Sequence, residues 1–425
     1  MRATAIVAIL LLLLPLARPA LAQAPAPRLL TLADLVTQSM ERNQAVIAAQ
    51  QVAAAAEANV ALARSGRGPT VTASTGAGTA GGGTATTTPS FSSSASITSS
   101  YVIYDSGQVA FAVRQAEAQL KSARLALETV RQNTALAVAN AYVGVLRAQR
   151  AVDQSQQVVV QNQELLRLAQ GQFQAGVVPR ADVVSAQAGL AAAEGNLIAA
   201  RNGVDQANAA LDVAVGLGPT LLVAVAPPPP VPQLTVAQAN LATLAEQRPE
   251  IRGGLADIEA AEAGVALAQA GGGLRLILNG GVTQGFAPTS LTTYSVTTTV
   301  SLPVSDAGKV AAAVAVAQAN LAAARARIET TRLTAQQQGV TALLSITSGQ
   351  ARVVSARAGL AFAEESLRLA QGRYAAGVAS ILEVINAQTA LVQAQVTLSS
   401  AEFDQLAGVI SLRYALGRSV VDGAI

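Results

Sequence analysis

The chain has 425 residues, with 28 Lys and Arg against 25 Asp and Glu, no histidine and no cysteine. These counts exclude a disulfide framework, a thiol nucleophile and a lipid anchor on cysteine, and they remove the commonest general base and metal ligand. The formal charge of +3 is a near-balance, and no Lys/Arg cluster interleaves with aromatics, so nucleic acid is not an expected partner.

Arg2 precedes an apolar run from Ala3 to Leu16, and Ala20-Leu21-Ala22 forms an A-x-A cleavage signal. The pattern predicts a signal peptide over 1–22 and an exported mature chain from Gln23. Losing Arg2 and Arg18 takes the charge from +3 to +1. Beyond the signal, no apolar run is expected to reach the ~18 residues of a membrane helix. Any crossing of a membrane would then use strands.

From Thr31 to Arg64 the spacing predicts one Ala-rich helix, with Thr31 as its N-cap. The composition then turns to Thr, Ser, Gly and Val. Strand-like runs at Pro69–Thr79 and Phe91–Tyr104 flank a loop over Ala80–Ser90. Asp105-Ser106-Gly107 punctuates, with Asp105 or Ser106 able to cap the next helix. That helix is predicted to run to about Gln170, about 100 Å at ~1.5 Å per residue. Heptad spacing follows it through Val113, Leu120, Leu127, Thr134 and Ala141. A turn and a returning helix to about Val215 complete a hairpin.

Gly216–Leu234, with Pro227–Pro230 and Pro232, predicts a stiff linker, after which the order recurs. Val60-Ala61-Leu62-Ala63 matches Val265-Ala266-Leu267-Ala268 at an offset of 205. Strand-like runs at Leu274–Gly285 and Thr293–Val304, the Ser305-Asp306-Ala307-Gly308 punctuation and a second heptad series (Val314, Leu321, Ile328, Ala335, Ala342) follow. Glu164–Leu190 and Glu365–Leu391 then align without a gap at an offset of 201. Each holds a helix end, a turn bounded by Gly171 and Gly176 or by Gly372 and Gly377, and the start of a returning helix. Asp182 and Glu383 stand near the starts of those helices, where the dipole favours an anion. The predicted organisation is a first repeat over 23–216, a Pro-rich linker over 217–234 and a second repeat over 235–425.

Within the strands, Tyr294, Val296, Thr298, Val300 and Leu302 share one face, and Ser295, Thr297, Thr299 and Ser301 the other. Ala95, Ile97, Ser99, Tyr101 and Ile103 form the matching face one repeat earlier, and Leu274, Leu276, Leu278 and Val282 do likewise. Each run has about the ~9–11 residues of a tilted membrane strand. Phe91, Phe286 and Tyr294 gather at the loop end, and Tyr101 and Tyr104 at the helix end, as two interfacial belts would. Alternation alone fits a half-buried soluble sheet equally well. Four strands without other partners cannot close by themselves, so a membrane sheet would need further copies.

The order of strand pair, D-x-G punctuation, very long helix, G-x-[FY]-x-x-G turn, returning helix and Pro linker, all given twice, resembles the TolC-like outer-membrane efflux proteins over essentially the whole mature chain. The resemblance implies a mainly α fold with a small β part. It implies a homotrimer whose α-helical barrel carries a 12-stranded transmembrane β-barrel, four strands per chain, in outer-membrane lipid. It implies a passive duct of a Gram-negative outer membrane with a periplasmic helical tunnel. Partners would be a periplasmic adaptor and an inner-membrane pump or ABC secretion transporter. On this likeness Gly171, Phe173, Gly176, Gly372, Tyr374 and Gly377 mark adaptor-docking tips, and Glu383 with Asn386 the periplasmic gate. Asp182, which matches Glu383 in the first repeat, joins that gate. Three Glu383 carboxylates around one axis would favour cations or protonation. The family's basic latch position falls on Ala379, which lacks a charge.

An exported coiled-coil or adhesin-like protein without channel activity would also carry such helices, but leaves the strand faces and paired D-x-G corners as coincidence. A periplasmic adaptor would carry the hairpin once, beside a small lipoyl-like domain that has no counterpart here. The chain holds no nucleophile–base constellation and no phosphate-cradling loop, so no enzyme, cofactor or metal centre is expected.

Overall fold

The computed structural model describes residues 30–80, 90–218, 226, 246–287 and 290–418. The predicted signal peptide, the loop 81–89 and nearly all of the linker lie outside these residues. In chain order the elements are α1 (Leu32–Arg42), α2 (Gln44–Ser65), β1 (Thr70–Ala80), β2 (Ser90–Tyr104), α3 (Gln108–Gln174) and α4 (Arg180–Val215). After the linker come α5 (Pro249–Ala270), β3 (Arg275–Ala287), β4 (Leu291–Ser301), α6 (Lys309–Ala375) and α7 (Ile381–Ala415).

The predicted single first helix is two. Thr31 caps α1 with a capping box to Asp34, and the helix stops at Asn43, whose backbone is extended (φ −68°, ψ 124°). Asn43 then caps α2 through Ala45 N–H and donates from Nδ2 to Ala214 O at 2.9 Å. The end of α4 thus abuts the start of α2. Gly216 makes this possible: its φ is +89°, and a Cβ there would lie 2.7 Å from Arg42 O. The second repeat makes the same splice, where Gly417 (φ +66°) packs on Arg248 at the head of α5. Each 67-residue helix, about 100 Å long, is therefore accompanied by a shorter pair laid end to end.

Around the first splice Leu35, Val138, Tyr142, Leu211, Val215 and Ile410 form one apolar core. Towards the turns, α6 buries Ala342, Ile346, Gly349, Val353, Ala356, Ala363, Leu367, Ala370 and Tyr374. Their three- and four-residue spacing is a coiled-coil seam built largely from small residues. Gly349 and Gly408 let α6 and α7 approach closely, since a Cβ on Gly408 would meet Ile346 at 3.3 Å. Helix α2 is, by length and composition, apolar enough to cross a membrane (mean hydropathy 1.3), contrary to the expectation that no segment after the signal would be. Its apolarity comes from alanine, and it lies along α3 with Arg64 paired to Glu117 and Glu57 to Arg124.

The four strands form one antiparallel sheet in the order β1-β2-β3-β4. Cross-strand partners Ala73–Ile97, Ile97–Val282 and Val282–Tyr294 place one apolar row across all four strands. The opposite face carries Thr72, Thr98, Gly281 and Ser295 in a matching row. A bulge at the end of β2 pairs Val102 with Ile277 and Tyr104 with Leu276, leaving Ile103 as the extra residue. Simple alternation would put Tyr104 on the hydroxyl face, and the bulge returns it to the face of Tyr101.

Candidate functional site: the paired helical turns

Sheet and turns are held apart by the long helices, and each end is built the same way twice. At the sheet end, Ser106 and Gly107 (φ 54° and 88°) and Ala307 and Gly308 (φ 52° and 82°) make tight left-handed corners. Asp105 accepts from Gly107 N–H at 3.0 Å and Val109 N–H at 2.7 Å. Asp306 accepts from Gly308 N–H at 3.0 Å and Val310 N–H at 2.8 Å. Amide donors thus stabilise the charged carboxylate, and the pKa of Asp306 is lowered. The Ser106 hydroxyl donates to Leu274 O at 2.9 Å, tying the first corner to the base of β3.

At the far end, Gly176 and Gly377 (φ +72° and +73°) each follow a helix end in a Schellman motif. Val177 N–H bonds Gln172 O at 2.9 Å and Gly176 N–H bonds Phe173 O at 3.0 Å. Val378 N–H to Arg373 O (3.0 Å) and Gly377 N–H to Tyr374 O (2.9 Å) repeat the motif. Gly171 and Gly372, expected as helix stops, instead lie inside the last turns of α3 and α6, and their carbonyls accept from Ala175 and Ala376. The residues that require glycine are therefore Gly176 and Gly377.

The two turns touch. Gln172 donates across to Tyr374 O at 3.2 Å, and an open cleft of about 450 Å³ between them is lined by Arg167, Gly171, Ala175, Val177 and Gly377. Phe173 and Tyr374, equivalent in sequence, part company here. Phe173 is 44% exposed, whereas Tyr374 is 1% exposed among Leu165, Ala186, Leu367 and Val384. Tyr374 is thus unsuited to surface docking. Its hydroxyl donates to Asp182 Oδ2 at 3.3 Å, joining the second turn to the first returning helix. Burial, the Asp182 charge and this hydrogen bond push the Tyr374 pKa up to about 12, so the phenol stays a donor at neutral pH.

Glu383, in the first turn of α7, is not a bare carboxylate. Arg373 Nη1 donates to its Oε1 at 2.6 Å across the turn. Ala379 carries no charge, but Arg373, six residues earlier, brings a cation to Glu383. Asn386 is exposed one turn on. Sequence reasoning missed Arg373, which aligns with Gln172 at an offset of 201; the repeats use that position for two different contacts, Gln172 to Tyr374 O and Arg373 to Glu383.

Paired antiparallel helical hairpins carrying one small antiparallel sheet at a single end define the class: a long-helix body with a β cap. The chain matches the model of the outer membrane efflux protein family over residues 35–217 and 240–418, and it belongs to that family. It is accordingly an outer-membrane efflux channel protein with a helical body on the periplasmic side. Among solved structures it resembles the outer-membrane channel OprN, with 23% identity, 92% of this chain and 90% of that one covered and a TM-score of 0.79. VceC of Vibrio cholerae shares 20% identity over 92% of this chain and 96% of that one, with a TM-score of 0.78. CmeC of Campylobacter jejuni shares 17% over 92% and 87%, with a TM-score of 0.81. At these identities the likeness is one of fold. No curated protein sequence is a significant match.

Proposed function

We propose that three copies of this chain close into a passive duct that carries substrates from a periplasmic adaptor and an inner-membrane pump or ABC secretion transporter to the exterior. Processing after Ala22 would deliver the chain to the periplasm for insertion. The observation that carries this reading is the unclosed sheet. β1 and β4 each have 11 residues, run antiparallel to each other and have free outer edges among the described residues. A β4 edge can therefore pair with β1 of the next copy, and only closure satisfies those backbone groups in lipid. Three copies give twelve strands with the apolar row outward and the hydroxyl row lining the lumen.

In this assembly the turns face away from the membrane. Phe173 and the Gly176 and Gly377 turns offer the adaptor its contacts, with Gly171 and Gly372 exposed beside them. Tyr374–Asp182 and Arg373–Glu383 hold the turns together, and Asn386 lines the aperture above Glu383. Neutralised by Arg373, the Glu383 ring narrows the aperture without presenting three bare charges.

The test is complementation of a strain lacking this duct. Wild type should restore pump-dependent resistance or secretion. Gly377→Val forces a β-branched residue to φ +73°, costing about 1–2 kcal/mol locally, and should abolish that function while assembled channels remain in the membrane. Full function in the variant would remove the turn from docking.

A further inference from the structure

We infer that Arg275 forms a cationic collar where the β-barrel meets the helical tunnel, and that this collar favours passage of anionic cargo bearing carboxylate or phosphate groups. Arg275 is the single charged residue in all four strands. It opens β3 at the helix end of the sheet and pairs with Ser301. Strand alternation puts it on the hydroxyl face with Asn279 and Thr283, opposite the Leu276, Leu278 and Val282 row. It is exposed, and it forms no ion pair among the described residues. Asp105 and Asp306 keep their charge at the helix corners, where each accepts from two amide groups, and neither pairs with Arg275 among the described residues. Arg67 and Lys309 add further positive charge at the same end. At the opposite end of the duct, Glu383 is matched by Arg373.

The collar exists only in the closed barrel and so rests on the trimeric reading above. Twelve strands about 4.8 Å apart and tilted about 40° enclose a circle of radius about 12 Å. Arginines reaching about 6 Å inward leave three guanidiniums about 10 Å apart, close to the Debye length of ~10 Å at 0.1 M salt. An ion on the axis therefore meets all three charges incompletely screened. Guanidinium also suits carboxylate and phosphate oxygens through paired donors.

The experiment measures chloride-over-potassium permeability of channels reconstituted in planar bilayers, from reversal potentials in a KCl gradient near 0.1 M. Arg275→Gln is expected to lower that ratio about 2–5-fold, Arg275→Lys to preserve it and Arg275→Glu to lower it further. Near 1 M salt, where the Debye length is ~3 Å, the difference should vanish. Block of the current by inorganic tripolyphosphate should weaken in Arg275→Gln and persist in Arg275→Lys. Channels of normal conductance whose ratio and block are the same in wild type, Gln and Glu variants would overturn the collar alone. If wild type forms no channel, the duct reading falls and the collar with it.

Discussion

Tyr374 and Phe173 hold equivalent places in two segments that align without a gap, yet one is sealed inside and the other faces solvent. The difference arises from a contact between repeats, because the partner of Tyr374 is Asp182 of the other hairpin. No pattern within one hairpin encodes that, which is why Tyr374 and Asp182 could be named from the sequence and their pairing could not. Glu383 is a different case: its place on α7 followed from alignment, and its partner Arg373 lies in the same hairpin, across a turn whose geometry helical periodicity does not specify. Tyr374→Phe keeps the ring and deletes one hydrogen bond worth about 0.5–1.5 kcal/mol. Channel opening frequency in bilayers should rise about 2–10-fold, and an unchanged frequency would contradict a latch at this pair. Alkali should act likewise on wild type. With its pKa raised from 10.0 to about 12, the tyrosine contributes stability that is fully present below pH 10 and lost as pH rises through about 12.

The long helices were legible because their heptads are long and uninterrupted, and the observed ends fall within a few residues of the predicted ones. What periodicity missed are the places where an element is interrupted without a change of composition. Asn43 breaks an otherwise helical run because its side chain is needed at the splice, capping α2 and bonding Ala214 O. The bulge at Ile103 corrects the facing of Tyr104 at the end of β2. The second splice rests on Arg248, which is 2% exposed, paired with Glu250, bonded to Gln338 at 2.8 Å and stacked 4.9 Å from the centre of the Tyr414 ring. Tyr414 in turn donates to Asn133 on α3 at 2.6 Å. Arg248→Ala leaves Glu250 without its cation and opens the packing beneath Gly417, for a loss of about 2–3 kcal/mol. Circular dichroism should record a lower melting temperature for the detergent-extracted protein. Arg248→Lys should recover only part of it, because an ammonium lacks the planar fork. An unchanged melt in Arg248→Ala would show that the splice does not depend on this residue.

At the scale of the molecule, the resemblance implied a tube, and the sheet register assigns the two faces of the strands at one end of the chain. Val296, 82% exposed, lies on the apolar face, and Thr297 beside it on the hydroxyl face. If the apolar face meets lipid, Val296→Arg places a charge in hydrocarbon at about 2–4 kcal/mol per chain. Its yield in the outer-membrane fraction should collapse, whereas Thr297→Arg should insert normally. Equal insertion of both variants would contradict the facing. From the residues alone closure was legible only as a need, because four strands leave two free edges; the number of copies came from the resemblance.

Electron microscopy of the mature protein extracted in detergent from outer membranes tests closure most directly. The account predicts a threefold end view and, from the side, a tapered tube about 100 Å long beneath a short barrel. Thin rods of one or two chains, released without detergent, would contradict it.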